Sequence, residues 1–260
     1  MSKALLVVSF GTSYEATRKA TLEAIEDTLK ETFPERTFYR AWTSGRILKK
    51  LKANGGPVYD TVPEALERMA ADGVTDVLVQ PTFMVDGYEM KLTAQAVAAA
   101  RARFERVALG APLLTTAADL DAFARFLEQT FADAVGAEDM LVLMGHGSEE
   151  TSFNVYQMLE YSLRRDGYRR FAVGTVEFDP GFDAVLEQVR DDKPKTVYLA
   201  PLLIVAGDHA TNDMAGDEPD SWKSQLEREG VQVQCILRGL GEYPAVREMF
   251  AALAKAAKEI

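Results

Sequence analysis

Tyr198-Leu199-Ala200-Pro201-Leu202-Leu203-Ile204-Val205-Ala206-Gly207-Asp208-His209 is a continuous apolar run that breaks at glycine and ends on one of only two histidines in the chain. Its stretch Ala200 to His209 aligns without a gap on Gln80-Pro81-Thr82-Phe83-Met84-Val85-Asp86-Gly87-Tyr88-Glu89. A second pair stands upstream of each: Val7-Val8-Ser9-Phe10-Gly11-Thr12-Ser13 resembles Leu143-Met144-Gly145-His146-Gly147-Ser148, a strand running into a glycine and hydroxyl turn that opens a helix. Self-similarity between the two halves means a repeated structural unit. The pairing sets Phe10 against His146 and Glu89 against His209.

Outward from these segments, strand-like patterns are predicted at residues 4–9, 37–42, 75–80, 105–109, 139–144, 170–176, 195–200 and 231–236, with helical patterns between them. Regular β-α alternation gives parallel sheets with right-handed crossovers and helices on both faces. Eight units suffice to close a (β/α)8 barrel, but the repeat favours an α/β fold of two similar lobes, each a four-stranded parallel sheet flanked by helices. The expected division is 1–125 for the N-terminal lobe and 126–260 for the C-terminal lobe, which carries both histidines. Ala118, Phe123, Phe126 and Leu127 mark a helix near the join. Ala16, Ala20, Ala24, Ile25 and Leu29 read as one apolar helix face, with Thr12 and Glu15 spaced as a capping box. Thr61 and Glu64 repeat that device, with Pro63 in the first turn.

Composition narrows the class. A formal net charge of −11 opposes nucleic-acid binding, which relies on neutralising phosphates with Lys and Arg. The single cysteine, Cys235, excludes an intramolecular disulfide and a thiolate-built metal site, and reads as a strand core residue. The apolar run Leu5 to Val8 is too short for a signal-peptide core, and no segment has the length to span a bilayer, so a cytoplasmic protein is expected.

Both histidines stand at the carboxyl ends of apolar strands, where open parallel sheets form their ligand crevices, so one cleft can receive both. Imidazole is a base near neutral pH and a ligand for borderline metals.

The residues Leu5 to Tyr14, Trp42-Thr43-Ser44-Gly45, Met144-Gly145-His146-Gly147, Pro201-Leu202-Leu203, Ala206 to Met214 and Gly239-Leu240-Gly241-Glu242 resemble those of the anaerobic-pathway sirohydrochlorin cobaltochelatase family. That family belongs to the bilobal class II chelatases, which include ferrochelatase. The resemblance implies a lyase that inserts Co2+ into sirohydrochlorin, a tetrapyrrole, during cobalamin biosynthesis. It implies His146, Glu177 and His209 as metal ligands, the histidines also serving as proton acceptors, and Glu89 as a catalytic carboxylate facing the macrocycle. Phe10, Gly11, Thr12, Ser13, Tyr14 and Met84 are candidate substrate contacts, because a helix-opening turn offers amides and hydroxyls to a polycarboxylate and aromatic residues pack on its ring. Trp42 and Phe83 are further aromatic candidates, although core packing is the commoner role. Arg18, Lys19, Arg46, Lys49 and Lys50 add positive charge, most of them expected as solvated helix residues. Members of the family can carry haem through an extra histidine; both histidines here are otherwise assigned, so no haem and no other resident cofactor is expected.

Alternatives stay open at this level. Ligand type does not separate cobalt from iron or nickel. A metal or tetrapyrrole carrier would use the same residues without turnover, and Glu177 fits a second role, orienting an imidazole. Partners are the tetrapyrrole and a divalent metal, with neither nucleic acid nor membrane, and a homo-oligomer is left open. A hydrolase is set aside because no G-x-S-x-G elbow occurs. An iron oxygenase is disfavoured because its two-histidine, one-carboxylate ligand set normally sits on a β-barrel.

Overall fold

A computed structural model of the chain describes residues 2–147, 155–165 and 170–260. The chain forms two compact units, Met1–Leu113 with Gly241–Ile260, and Leu114–Leu240.

In the first unit β1 (Lys3–Ser9) leads through α1 (Glu15–Arg18), a π-helical turn (Lys19–Glu23) and α2 (Ala24–Thr32) to β2 (Thr37–Trp42). Then follow α3 (Gly45–Ala53), α4 (Val62–Ala71), β3 (Asp76–Pro81), α5 (Tyr88–Ala100) and β4 (Arg106–Leu109). The second unit contains α6 (Ala117–Phe131), β5 (Met140–Gly145), α7 (Val155–Arg165), β6 (Phe171–Thr175), α8 (Phe182–Asp192), β7 (Thr196–Pro201), a π-helical turn (His209–Met214), α9 (Trp222–Arg228) and β8 (Gln232–Cys235). The chain then returns to the first unit with α10 (Pro244–Lys255) and β9 (Lys258–Glu259).

The sheets run β2-β1-β3-β4-β9 and β6-β5-β7-β8, every pair parallel except β4 with β9. Each thus reverses its strand order beside its first strand, which makes β1/β3 and β5/β7 the topological switch points. The central strands are covered on both faces: Leu5 to Val8 and Leu141 to Met144 are all buried. This explains why they read as unbroken apolar runs rather than alternating ones.

The repeat holds at the level of single hydrogen bonds. Val8 pairs with Pro81 and Met144 with Pro201. Thr82 N–H donates to the Val8 carbonyl at 2.8 Å, and Leu202 N–H to Met144 at 2.8 Å. Ser44 N–H reaches the Phe10 carbonyl at 3.2 Å, as Glu177 N–H reaches His146 at 3.1 Å. Gly87 N–H and Gly207 N–H donate to Val85 and Val205, each at 3.0 Å. Gly11 and Gly147 follow the equivalent Phe10 and His146 with φ of 100° and 91°, a conformation that side chains resist. Phe10, Ser44 and Glu89 therefore occupy the backbone positions that His146, Glu177 and His209 occupy in the other unit.

Several expectations need correction. The division falls at Leu113/Leu114 rather than 125/126, and the last segment does not stay with the C-terminal unit. The cause is packing: α6 lies on α7, whereas α10 lies on α2 and β3, and β9 adds an antiparallel strand to β4. The first sheet therefore has five strands, not four. Thr12 does not cap a helix: α1 starts at Glu15 with Tyr14 as its N-cap, and the Thr12 hydroxyl accepts from Tyr14 N–H at 3.2 Å. The apolar face is also shifted. Ile25 and Leu29 are buried but Ala16 and Ala20 are exposed, because the π-helical turn between them adds a residue and rotates the upstream face outward. Arg18 consequently points inward and pairs with Glu23 at 2.9 Å instead of being solvated. The Thr61 capping box with Glu64 and Pro63 is present as expected. Ser148 lies outside the described residues.

Candidate metal centre

Two strand ends and one turn deliver three side chains to one point in the second unit. His146 follows β5 directly. Backbone pairing continues one step past the ends of β5 and β6, with Val176 N–H on the Gly145 carbonyl at 3.0 Å and Glu177 N–H on His146 at 3.1 Å. This fixes Glu177 laterally beside His146. The loop after Glu177 folds back onto β6, where Thr175 N–H donates to the Pro180 carbonyl at 2.7 Å and the Thr175 hydroxyl donates to the Phe178 carbonyl. His209 opens the π-helical turn after β7, which the buried Ala210 and Met214 hold against the sheet. The Asn212 amide donates to the Asp208 carboxylate at 3.0 Å, tightening the start of that turn.

The ligand atoms of His146, Glu177 and His209 all lie within 4.8 Å of one another, the one such group found among the described residues. His146 Nε2 stands 3.8 Å from Glu177 Oε1, and the imidazoles meet edge to face with centroids 5.0 Å apart. All three are partly open to solvent, with side chains 34–48% exposed, so an ion can enter and leave.

The second nitrogens are already engaged. His209 Nδ1 lies 2.6 Å from Asp213 Oδ2, and His146 Nδ1 lies 3.3 Å from the Gly147 carbonyl. Carbonyl and carboxylate oxygens only accept, so these contacts need the hydrogen on Nδ1, and in the neutral form of each ring Nε2 then keeps a lone pair for a metal or a proton. Below the turn, Gly147 N–H reaches the hydroxyl of Tyr156 at 3.4 Å, and burial pushes that phenol's pKa up, so it stays a neutral anchor.

The remaining candidates lie in the first unit, at the carboxyl ends of β1 and β3. Phe10 and Tyr14 are large exposed apolar side chains, at 48% and 41%, whereas Gly11 and Thr12 are buried, and Ser13 and Met84 are partly buried. Glu89 stands in the first turn of α5, with Oε2 shielded from solvent and without a hydrogen-bond partner. Trp42 and Phe83 are core residues; the Trp42 ring packs tilted against Tyr59, centroids 4.1 Å apart, and fills the space beneath Gly11. Lys19 pairs with Glu15, while Arg46, Lys49 and Lys50 are exposed on α3. Cys235 lies in β8 but is half-buried rather than a core residue, because β8 is the edge strand of its sheet, and burial raises its thiol pKa.

Sequence reasoning missed Asp213 and Tyr156. Asp213 carried a usable signal, since it is four residues from His209 on a helical turn. Nothing in the sequence placed Tyr156 beneath Gly147.

The model of one protein family, described as cobalt chelatase (CbiK), matches residues 3–259. A sirohydrochlorin cobaltochelatase of Salmonella typhimurium is 39% identical over 97% of this chain and 95% of its own length. Sirohydrochlorin cobaltochelatase CbiKC of Nitratidesulfovibrio vulgaris is 32% identical over 93% of this chain and 85% of its own. Among solved structures, SirB from Bacillus subtilis with Fe3+ superposes with a TM-score of 0.65 at 15% identity, covering 98% of this chain and 95% of that one. That likeness supports the shared fold.

Proposed function

The chain belongs to the CbiK cobalt chelatase family, and on that premise we propose that it inserts Co2+ into sirohydrochlorin for cobalamin biosynthesis. The reading is carried by the convergence of His146, Glu177 and His209, with both Nδ1 atoms engaged and both Nε2 atoms left as donors.

Insertion releases two pyrrole protons as the divalent ion enters the ring, so the site needs metal ligands and proton acceptors together. Neutral imidazole serves either purpose. An imidazole pair with one carboxylate binds cobalt(II) through three atoms and leaves the other coordination positions for water or pyrrole nitrogen. Charge neutralisation by Glu177 favours capture of the dication, and the partial exposure of all three side chains favours its release. In the first unit, Glu89 is the carboxylate that acts on the macrocycle; its Oε2 is buried without a hydrogen-bond partner. Phe10, Gly11, Thr12, Ser13, Tyr14 and Met84 contact the substrate, the exposed Phe10 and Tyr14 rings offering it apolar surface. No resident cofactor takes part.

The ligand set accepts iron(II) and nickel(II) as well, because affinity follows a general metal order rather than this geometry. The deciding experiment is anaerobic insertion followed by the spectrum of the metallated tetrapyrrole, with cobalt, iron and nickel compared at equal concentration. Many rings metallated per chain with cobalt are expected. One equivalent and no more would identify a carrier, and a rate equal to spontaneous insertion would overturn the reading.

A further inference from the structure

The two imidazoles are held differently, and the difference lies in the chain rather than in the metal. His146 Nδ1 faces a neutral backbone carbonyl at 3.3 Å, a long contact. His209 Nδ1 faces the carboxylate of Asp213 at 2.6 Å, the short range of a charge-assisted bond. Both partners of the second pair belong to the π-helical turn His209–Met214, which spaces them four residues apart on one face. Turns of this type are uncommon and concentrate at functional sites. Met214 at the end of the turn is fully buried, and Asp213 is therefore anchored by its neighbour although its own carboxylate is 46% exposed.

We infer that Asp213 is a positioning residue that locks His209 with Nε2 toward Glu177 and His146 and makes it the stronger of the two imidazole ligands. The physical reason is that a carboxylate on the far nitrogen fixes both tautomer and ring rotation, and donates electron density to the ligating nitrogen. His146, on a neutral and longer contact, is the more easily displaced ligand, suited to letting go first as the ion passes into the ring. The other acidic groups nearby have different work: Asp208 binds the Asn212 amide and Asp217 pairs with Lys223.

This inference rests on the metal-site reading above, and the test separates the two. The chain has only two histidines, so long-range 1H–15N spectra of the metal-free protein resolve both rings, with His146→Gln assigning them. Spectra are taken where both imidazoles are neutral. Wild-type His209 is expected as the Nδ1–H tautomer. Asp213→Ala should move it toward the Nε2–H form that an unsupported imidazole favours, while the His146 signals stay in place. Asp213→Asn keeps an acceptor oxygen without the charge and should retain the tautomer. Calorimetry with Co2+ alone should then show affinity reduced about ten- to a hundredfold in Asp213→Ala, and less in Asp213→Asn. An unchanged His209 tautomer in Asp213→Ala, or Co2+ affinity within twofold of wild type, would overturn the inference. Failure of the metal-site reading gives a different signal: wild type itself would bind no Co2+, while the tautomer shift would still report on Asp213.

Discussion

Gly147→Ala tests whether the turn after β5 is held in the conformation that aims His146. The residue has φ of 91°, where an L side chain costs about 1–2 kcal/mol. A Cβ there would stand 2.9 Å from Phe178 Cδ2 and 3.0 Å from both Phe178 Cβ and Thr175 Oγ1. Overpacking of this kind costs about 1–3 kcal/mol, and the low end applies because Phe178 is 37% exposed and its ring can swing aside. The sum is about 2–3 kcal/mol. It appears either as lost folding stability, if the turn keeps its shape, or as lost Co2+ affinity, if the turn relaxes and carries His146 with it. In the second case the affinity falls roughly thirty- to a hundredfold, since about 1.4 kcal/mol is tenfold. Urea unfolding and Co2+ calorimetry on the same variant measure both shares. Gly55→Ala is the control: its φ is 67° but no atom lies within 4 Å of the new Cβ, so only the backbone cost should appear and Co2+ binding should not change. A Gly147→Ala protein with stability within 0.5 kcal/mol and Co2+ affinity within twofold of wild type would refute the reasoning.

Further outcomes can be checked in parallel. His146→Ala and His209→Ala should each reduce chelatase turnover about a hundredfold or more while leaving the unfolding midpoint in place. Glu89→Ala should lower turnover more than Co2+ affinity, whereas Glu177→Ala should weaken Co2+ binding in the absence of tetrapyrrole; calorimetry beside steady-state rates separates the two. Thr61→Ala removes a capping box and should cost about 1 kcal/mol in denaturant titrations. The Thr61 backbone N–H and hydroxyl hold the Glu64 carboxyl below its usual range, so that stabilisation is present above the unfolded-state pKa and is lost as pH falls through the lower folded one. The variant should therefore show a shallower loss of stability in acid. Protein purified from haem-replete cells should show no haem absorption band.

The central strands were legible because burial on both faces leaves an unbroken apolar run, as in Leu5 to Val8 and Leu141 to Met144, whereas β8 (Gln232–Cys235) is nowhere fully buried and reads as an alternating run. The repeat was legible for a similar reason. Pro81 and Pro201 end equivalent strands, and Gly87 and Gly207 make equivalent turns, so the same local constraints recur in the letters. What escaped depends on contacts distant in sequence. Lys258–Glu259 is a two-residue polar strand whose only mark is its partner β4. The return of α10 to the first unit is a packing choice that its own amphipathic pattern does not encode. A π-helical turn leaves no periodicity long enough to read, and it moved Ala16 and Ala20 outward. At the site, His146 was legible because it directly follows β5, whereas β7 ends at Pro201 and His209 stands eight residues further on, at the start of the π-helical turn rather than at a strand end. Asp213 was legible only as a carboxylate four residues after His209; its contact with Nδ1 depends on the π-helical turn that holds both.

The central claim, that His146, Glu177 and His209 hold the ion, is tested most directly by cobalt-edge X-ray absorption on the Co2+-loaded chain without tetrapyrrole. A first shell with two imidazole nitrogens and carboxylate oxygen is expected, falling to one imidazole in His209→Ala. A shell of oxygen alone, or a spectrum identical in wild type and His209→Ala, would contradict it.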